Sequence, residues 1–252
     1  MRALIIDLSL RYGGTDVRVT QIARGLASRA QVKVAVLAGT FFSHIGLAVS
    51  EYARMNKVLF VASEPLTDAL TLDKGHRYAY RLRPSTLMQV GMLVEEAVKL
   101  PARKWVTVAP NYEYGQSAVR AFKELLKAKR PDVEFVAEQW PAQGKLEAGP
   151  TVQALLAAEP EAVFNVTFGA DLAKLVREGT TRGLFEKRPV VSLLTGEPEY
   201  LDPMKGEAPT GWIVTGYPHD QIVTAEHKAF REAYVKAFKD YPRLGSVVGY
   251  TL

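Results

Sequence analysis

Apolar, β-branched runs alternate with segments of helical periodicity along the chain. The predicted strands occupy residues 3–7, 32–38, 57–62, 104–110, 133–140, 162–168, 189–195 and 211–217. The predicted helices, whose apolar residues recur every three to four positions, are 16–30, 44–55, 86–100, 115–129, 152–160, 170–184 and 224–241. The strands are almost continuously apolar, as parallel strands covered on both faces are. This alternation predicts an α/β fold built on parallel sheets.

The chain changes direction in the segment RLRP, where Pro84 separates two groups of strands and helices. We predict a first lobe over residues 1–82, a second lobe over residues 83–215, and a return to the first lobe over residues 216–252. Each lobe is expected to be Rossmann-like, with a parallel sheet flanked by helices.

Ligands of open parallel sheets bind beyond the carboxyl ends of the strands, so the residues that follow each predicted strand are the candidates. Ser43 stands at or next to a helix start, where the helix dipole and backbone N–H groups favour a carboxylate. A simple N-cap role also fits Ser43. After the next strand, Glu64 and neighbouring carbonyls would suit an ammonium group, or Thr67 would cap a helix start.

Further candidates follow strands of the second lobe. Tyr112 and Tyr114 precede a helix, where aromatic side chains stack on a ligand or anchor their own loop. Thr195 and Glu197 follow a buried strand, where a carboxylate pairs with an amine or stays a solvated loop acid. The glycine-rich segment RYGGTD (11–16) lacks the dinucleotide and P-loop fingerprints. Residue type alone leaves these alternatives open.

No catalytic set assembles from the sequence. The 252 residues include no cysteine, which excludes disulfides, thiolate metal sites and cysteine catalysis. The four histidines lack metal-ligand spacing, and no GxSxG motif occurs. We therefore expect a binding protein rather than an enzyme, with no metal and no cofactor.

The charge pattern argues against a nucleic-acid partner. The net charge of +5 comes from 32 Lys and Arg residues interspersed among 27 Asp and Glu residues, without a basic run. No window of 18 residues is apolar enough to span a membrane. The N-terminal MRALIID reads as a strand rather than as a secretory signal.

Several stretches, taken in order, resemble the periplasmic amino-acid-binding proteins of ABC transporters, most closely the leucine/isoleucine/valine-binding type. They are AGTFFSHIGLAVSEYARMNKVLFVASEPLTDALT, RYAYRLRPSTLMQVGMLVEEAV, WVTVAPNYEYGQSAVRAFKELLK and HKAFREAYVKAFKDYPRLGSVVGY. The resemblance covers roughly residues 32–252. It implies the type I periplasmic-binding fold, in which two α/β lobes joined by a hinge clamp a ligand.

The resemblance also implies a set of ligand-binding residues. Ser43 matches the serine that binds the ligand α-carboxylate, and Glu197 lies near the acid that binds the ammonium group. Phe168 stands where family members often have tyrosine. The matching positions of this chain are Ser43, Glu64, Leu66, Thr67, Tyr114, Phe168, Thr195 and Glu197.

The implied partners are an amino acid or related small carboxylate and the membrane permease of an ABC transporter. The implied location is the periplasm, with the signal peptide absent from this chain. Compared with the family, the chain looks truncated at both ends of the first lobe, so a non-functional fragment is one alternative. Residues 1–39 also resemble the start of a GT-B glycosyltransferase, which would bind a nucleotide-sugar.

Overall fold

The computed structural model describes residues 36–252. These residues form two compact units that divide at Ser85 and Pro218. Residues 36–85 and 219–252 belong to the first unit, and residues 86–218 form the second. The strand predicted over 3–7, the helix predicted over 16–30 and most of the glycosyltransferase-like head lie outside the described residues.

The described elements alternate between strands and helices, which confirms the predicted α/β class. The strands are β1 (Val36–Gly39), β2 (Leu59–Ala62), β3 (Ala79–Arg81), β4 (Lys104–Val108), β5 (Glu134–Gln139), β6 (Ala162–Asn165), β7 (Val190–Gly196) and β8 (Ile213–Gly216). The α-helices are α1 (Ser43–Asn56), α2 (Thr86–Ala97), α3 (Glu113–Lys129), α4 (Ala148–Ala157), α5 (Gly169–Thr181), α6 (Pro198–Leu201), α7 (Ala225–Phe238) and α8 (Leu244–Thr251). Two 3₁₀ turns cover Asp68–Leu70 and Asp202–Glu207.

The first unit contains a parallel sheet in the order β1-β2-β3. Small residues on one face of α1 let the helix approach this sheet closely; they are Ser43, Gly46, Ser50 and Ala53. A Cβ added to Gly46 would lie 2.6 Å from Pro65 Cγ, so only glycine fits this contact. Helix α1 ends at Asn56, and the following Lys57 takes a left-handed conformation with φ 54°.

Helix α8 was not predicted from the sequence. It packs beside α7 through the rings of Phe230 and Tyr250, whose centroids are 4.7 Å apart. The Ser246 hydroxyl also donates to Tyr234 Oη at 3.1 Å. Its sequence, LGSVVGYT, contains two glycines and two adjacent valines, residues of low helix propensity. The spacing of its apolar residues therefore does not predict a helix, and contacts with α7 stabilise it.

The second unit contains five parallel strands in the order β5-β4-β6-β7-β8. One face of the sheet is covered by an apolar cluster that includes Val106, Val163 and Leu175. On the other face, Phe122 of α3 stacks on Phe164 of β6 with ring centroids 3.9 Å apart. Both faces are therefore buried, as the continuous apolar runs in the sequence predicted.

The strand order creates a topological switch point in the second unit. The chain leaves β4 to form β5 on one side and returns to form β6 on the other side of β4. The loops that follow β4 and β6 therefore diverge at the carboxyl edge of the sheet and leave a crevice between them. Crevices of this kind are the usual ligand sites of open parallel sheets.

Among residues 36–252, no helix is long and apolar enough to cross a membrane.

Two helical glycines should respond oppositely to substitution by alanine. A Cβ on Gly115 would lie 2.1 Å from the carbonyl oxygen of Pro110, so Gly115→Ala should lower the free energy of unfolding by about 1–3 kcal/mol. A Cβ on Gly91 would meet no atom within 4 Å, so Gly91→Ala should raise it by about 0.5–1 kcal/mol. Denaturant unfolding of both variants measures the difference, and equal stabilities would contradict the close approach at Gly115.

Candidate functional site

In the first unit, the loops that follow β1 and β2 are joined at the carboxyl edge of the sheet. Ser43 is the first residue of α1, and its buried Oγ accepts a hydrogen bond from the Thr67 backbone N–H at 3.2 Å. The Ser63 hydroxyl donates to the carbonyl oxygen of Thr40 at 3.2 Å. Thr40 itself is held in the left-handed region with φ 69°. These contacts fix the start of α1 against the loop after β2.

Arg81, at the end of β3, holds the loop after β2 in place. Its guanidinium donates to the carbonyl oxygen of Pro65 at 2.7 Å and also to the carbonyl oxygen of Thr67. Burial lowers the pKa of Arg81, while the neighbouring Asp68 carboxylate acts in the opposite direction. The side chain of Leu66 is buried between the two tethered residues. Leu66 therefore has only backbone groups to offer a polar ligand.

Thr67 also performs the capping role that the sequence left open. Its Oγ1 accepts a hydrogen bond from the Ala69 N–H at 3.3 Å, at the start of the 3₁₀ turn. A role of Thr67 in ligand binding stays a prediction.

Glu64 forms an ion pair with Arg83 inside the first unit. Arg83 Nη1 lies 2.5 Å from Glu64 Oε2, and the two side chains are only 7% and 15% exposed. Glu64 Oε1 lies close to Gly245 near the start of α8, where a Cβ on the glycine would be 3.7 Å from it. The Glu64 carboxylate thus contacts a guanidinium of the chain itself, and its role toward a ligand ammonium group stays a prediction.

In the second unit, four aromatic side chains form a continuous row across the carboxyl edge of the sheet. We call Tyr112, Tyr114, Phe168 and Tyr200 the aromatic row. The Tyr112 and Tyr114 centroids are 6.0 Å apart, those of Tyr114 and Phe168 are 5.8 Å apart, and those of Phe168 and Tyr200 are 6.0 Å apart. Tyr114 and Phe168 meet edge to face at 72°. Burial raises the pKa of Tyr112, so its phenol stays protonated.

A buried polar network supports the strand ends next to the aromatic row. The Asn165 side chain donates to Ser192 Oγ at 2.8 Å and accepts from Thr167 Oγ1 at 2.7 Å. Ser192 Oγ lies 2.6 Å from Thr195 Oγ1. Thr195, a predicted ligand residue, therefore shares its hydroxyl with this network. All four side chains are essentially inaccessible to solvent, so their hydrogen bonds fix the loops after β6 and β7.

Glu197 follows β7 and immediately precedes the short helix α6. Its side chain is only 3% exposed, unlike that of a solvated loop acid. Its backbone N–H donates to the carbonyl oxygen of Leu194 at 2.9 Å. Leu194 has φ 64°, and its N–H donates to Thr215 Oγ1 at 2.9 Å. This tight turn places Glu197 at the carboxyl edge of the second sheet.

The predicted site residues thus lie at the carboxyl edges of the two sheets. The edge of the first sheet carries Ser43, Glu64, Leu66 and Thr67. The edge of the second sheet carries Tyr114, Phe168, Thr195 and Glu197. Sequence reasoning missed Arg81, Asn165 and Tyr200. In the part of the chain from residue 36 onward, no group of three or more His, Asp or Glu side chains is arranged to hold a metal ion.

Comparison with known proteins gives a family. The sequence profile of a family described as periplasmic binding protein matches residues 12–252. The chain belongs to this family. Residues 12–39, which the sequence left open between two families, fall within the match, and the glycosyltransferase resemblance is not supported. No curated protein sequence matches the chain.

Solved structures of the family share the fold. One is a solute-binding protein of an ABC transporter from Rhodopseudomonas palustris BisB5, solved in complex with 3,4-dihydroxybenzoic acid. Its sequence is 25% identical to this chain and the TM-score is 0.73. The match covers 86% of this chain and 59% of that chain. A benzoate complex of an R. palustris solute-binding protein is 20% identical with a TM-score of 0.76, covering 93% and 63%. A Brucella ovis protein that binds leucine, isoleucine, valine, threonine and alanine is 22% identical with a TM-score of 0.69, covering 95% and 62%.

These relatives confirm the type I periplasmic-binding fold. The chain spans less than two thirds of the length of each of these three structures.

The buried Glu64–Arg83 ion pair should contribute more to the free energy of unfolding than an exposed ion pair does. Glu64→Gln removes the charge of the carboxylate that Arg83 Nη1 contacts in a buried position, so the free energy of unfolding should fall by about 3 kcal/mol. The matched control is Glu51→Gln, which breaks the exposed pair of Glu51 with Arg54 and should change stability little. Thermal or denaturant unfolding compares the two. A Glu64→Gln variant as stable as the control would show that Glu64 is free to serve a ligand.

Proposed function

We propose that the chain is the solute-binding component of an ABC transporter and that it binds a small carboxylate. Its membership of the periplasmic binding protein family supports this proposal. The related structures hold or are named for benzoates and aliphatic amino acids, all of which carry a carboxylate. The ligand would be a branched-chain amino acid or a related small carboxylate, bound without chemical change.

The proposed binding position of the ligand carboxylate is the N-terminus of α1. A helix N-terminus attracts an anion through its dipole and its first backbone N–H groups. The observation that carries the proposal is the hydrogen bond from the Thr67 N–H to Ser43 Oγ. Because this bond uses an acceptor site of the hydroxyl, the Ser43 proton remains available for a ligand oxygen.

We further propose ligand-binding roles at the carboxyl edge of the second sheet. The candidates are Tyr114, Phe168 and Glu197, which follow strands of the second sheet, and Thr195, which lies near the carboxyl end of β7. For an amino acid, Glu197 would bind the ammonium group. A membrane permease would recognise the loaded protein in the periplasm.

Replacement of the Ser43 hydroxyl should weaken carboxylate binding. A hydrogen bond to a charged group contributes about 1.5–3 kcal/mol, so Ser43→Ala should raise the dissociation constant at least about tenfold. Isothermal titration calorimetry with benzoate and with leucine measures this change, whichever of the two binds the unmodified protein.

The control is Ser50→Ala on the same helix, about 10 Å further along. The Ser50 hydroxyl is bonded to His76 at 2.9 Å, so this change should reduce stability and leave affinity unchanged. Equal affinity of the Ser43→Ala variant and the unmodified protein would remove Ser43 from the site. A thermal-shift screen in which no amino acid or benzoate raises the melting temperature would reject the proposed function.

A further inference from the structure

The pairing of β7 with β8 contains a bulge near the carboxyl end of β7. Ser192 of β7 is in register with Val214 of β8. After the bulge, Gly196 is in register with Gly216. Three residues of β7 therefore lie opposite the single residue Thr215, so β7 has two extra residues over this stretch. Bulges bend a strand locally, and they are common beside functional sites because they turn a side chain in a new direction.

Side-chain hydroxyls hold this bulge from both sides. On the β8 side, Thr215 Oγ1 accepts a hydrogen bond from the Leu194 N–H at 2.9 Å. This contact helps to keep Leu194 in the left-handed region, with φ 64°, where a bulky residue is rare. On the β6 side, the Asn165 side chain donates to Ser192 Oγ at 2.8 Å, and Ser192 Oγ lies 2.6 Å from Thr195 Oγ1. The bulge is therefore tied to both neighbouring strands.

The contact made by Thr215 continues through the backbone to Glu197. The carbonyl oxygen of Leu194 accepts a hydrogen bond from the Glu197 N–H at 2.9 Å. The carbonyl oxygen of Glu197 in turn accepts from the N–H groups of Tyr200 and Leu201 at 2.9 Å and 3.1 Å, at the start of α6. The Glu197 backbone is thus held on both sides, and the bulge sets the direction in which its side chain leaves the chain.

The position of Glu197 matters because its carboxylate is buried. A buried charge is stabilised only by groups at hydrogen-bonding or ion-pairing distance. A backbone shift of about 1 Å would take the carboxylate out of hydrogen-bonding distance of a ligand donor. Valine has the shape of threonine and suits a strand, but it offers no acceptor to the Leu194 N–H. The hydroxyl is therefore the part of Thr215 on which the bulge depends.

We propose that Thr215 is a positioning residue for ligand binding. Its hydroxyl holds the β7 bulge, and the bulge places the Glu197 carboxylate against a hydrogen-bond donor of the solute. This inference rests on the proposed function, which gives Glu197 a ligand-binding role. Thr215 acts through the backbone of Leu194 and does not touch the solute. Loss of its hydroxyl should therefore weaken binding only while Glu197 is present.

A double-mutant cycle tests this dependence. Leucine and 4-hydroxybenzoate, whose ammonium and phenol groups are hydrogen-bond donors, are titrated calorimetrically into the full chain, and the tighter-binding probe is used for the cycle. Glu197→Gln should raise the dissociation constant about tenfold or more, because the donor then meets an uncharged amide. Thr215→Val should raise it about three- to tenfold. When Thr215→Val is added to Glu197→Gln, the further increase should be less than about twofold.

Two further variants control for a general loss of structure. Thr215→Ser keeps the hydroxyl, so its dissociation constant should stay within about twofold of that of the unmodified protein. Thr107→Val makes the threonine-to-valine change on β4 of the same sheet. Thr107 Oγ1 has no hydrogen-bond partner within residues 36–252, so this variant should leave the affinity unchanged.

Each outcome supports or overturns the inference. If Thr215→Val weakens binding equally with Glu197 and with Gln at position 197, or does not weaken it at all, Thr215 does not act through Glu197. If Glu197→Gln leaves the affinity unchanged, the carboxylate that Thr215 is proposed to position has no role. In these cases the inference is wrong while the chain still binds a carboxylate. If neither probe binds the unmodified protein, the result contradicts the proposed function itself.

Discussion

The parallel pairing of the strands is the constraint on which the rest of the structure depends. Every described strand pair is parallel, in the three-stranded sheet of the first unit and the five-stranded sheet of the second. Each connection between successive strands returns the chain to the amino edge of the sheet, so the strands run in one direction and all their carboxyl ends lie at one edge. Loops that are far apart in sequence thereby become neighbours, whatever side chains they carry.

The loops at these edges are held in place before any ligand arrives. Arg81 binds two carbonyl oxygens of the loop after β2, and the Asn165 network fixes the ends of β6 and β7. Binding groups that are already ordered lose less conformational freedom when a solute binds. The buried polar and charged side chains around the edges thus serve mainly to position the few groups that would touch the solute.

The pattern of apolar and polar residues along the sequence predicted most of the strands and helices, because buried parallel strands and amphipathic helices have strongly periodic sequences. It missed α8, whose glycines and valines form a helix only through contacts with α7. It also gave no sign that Glu64 pairs with Arg83, 19 residues further along, and a ligand role for Glu64 stays a prediction. The aromatic row joins residues 112 to 200, and only the order of the strands in the sheet reveals that these rings meet.

Hydrogen–deuterium exchange with and without a bound carboxylate tests the central claim most directly, since it maps protection onto the backbone. The account predicts slower exchange in the segments at the carboxyl edges, residues 40–46, 63–70, 110–116 and 166–170. Segments at the amino ends of the strands, such as 101–104, 131–134 and 158–161, should exchange at unchanged rates. Protection confined to the amino ends, or absent from residues 40–46, would contradict the account.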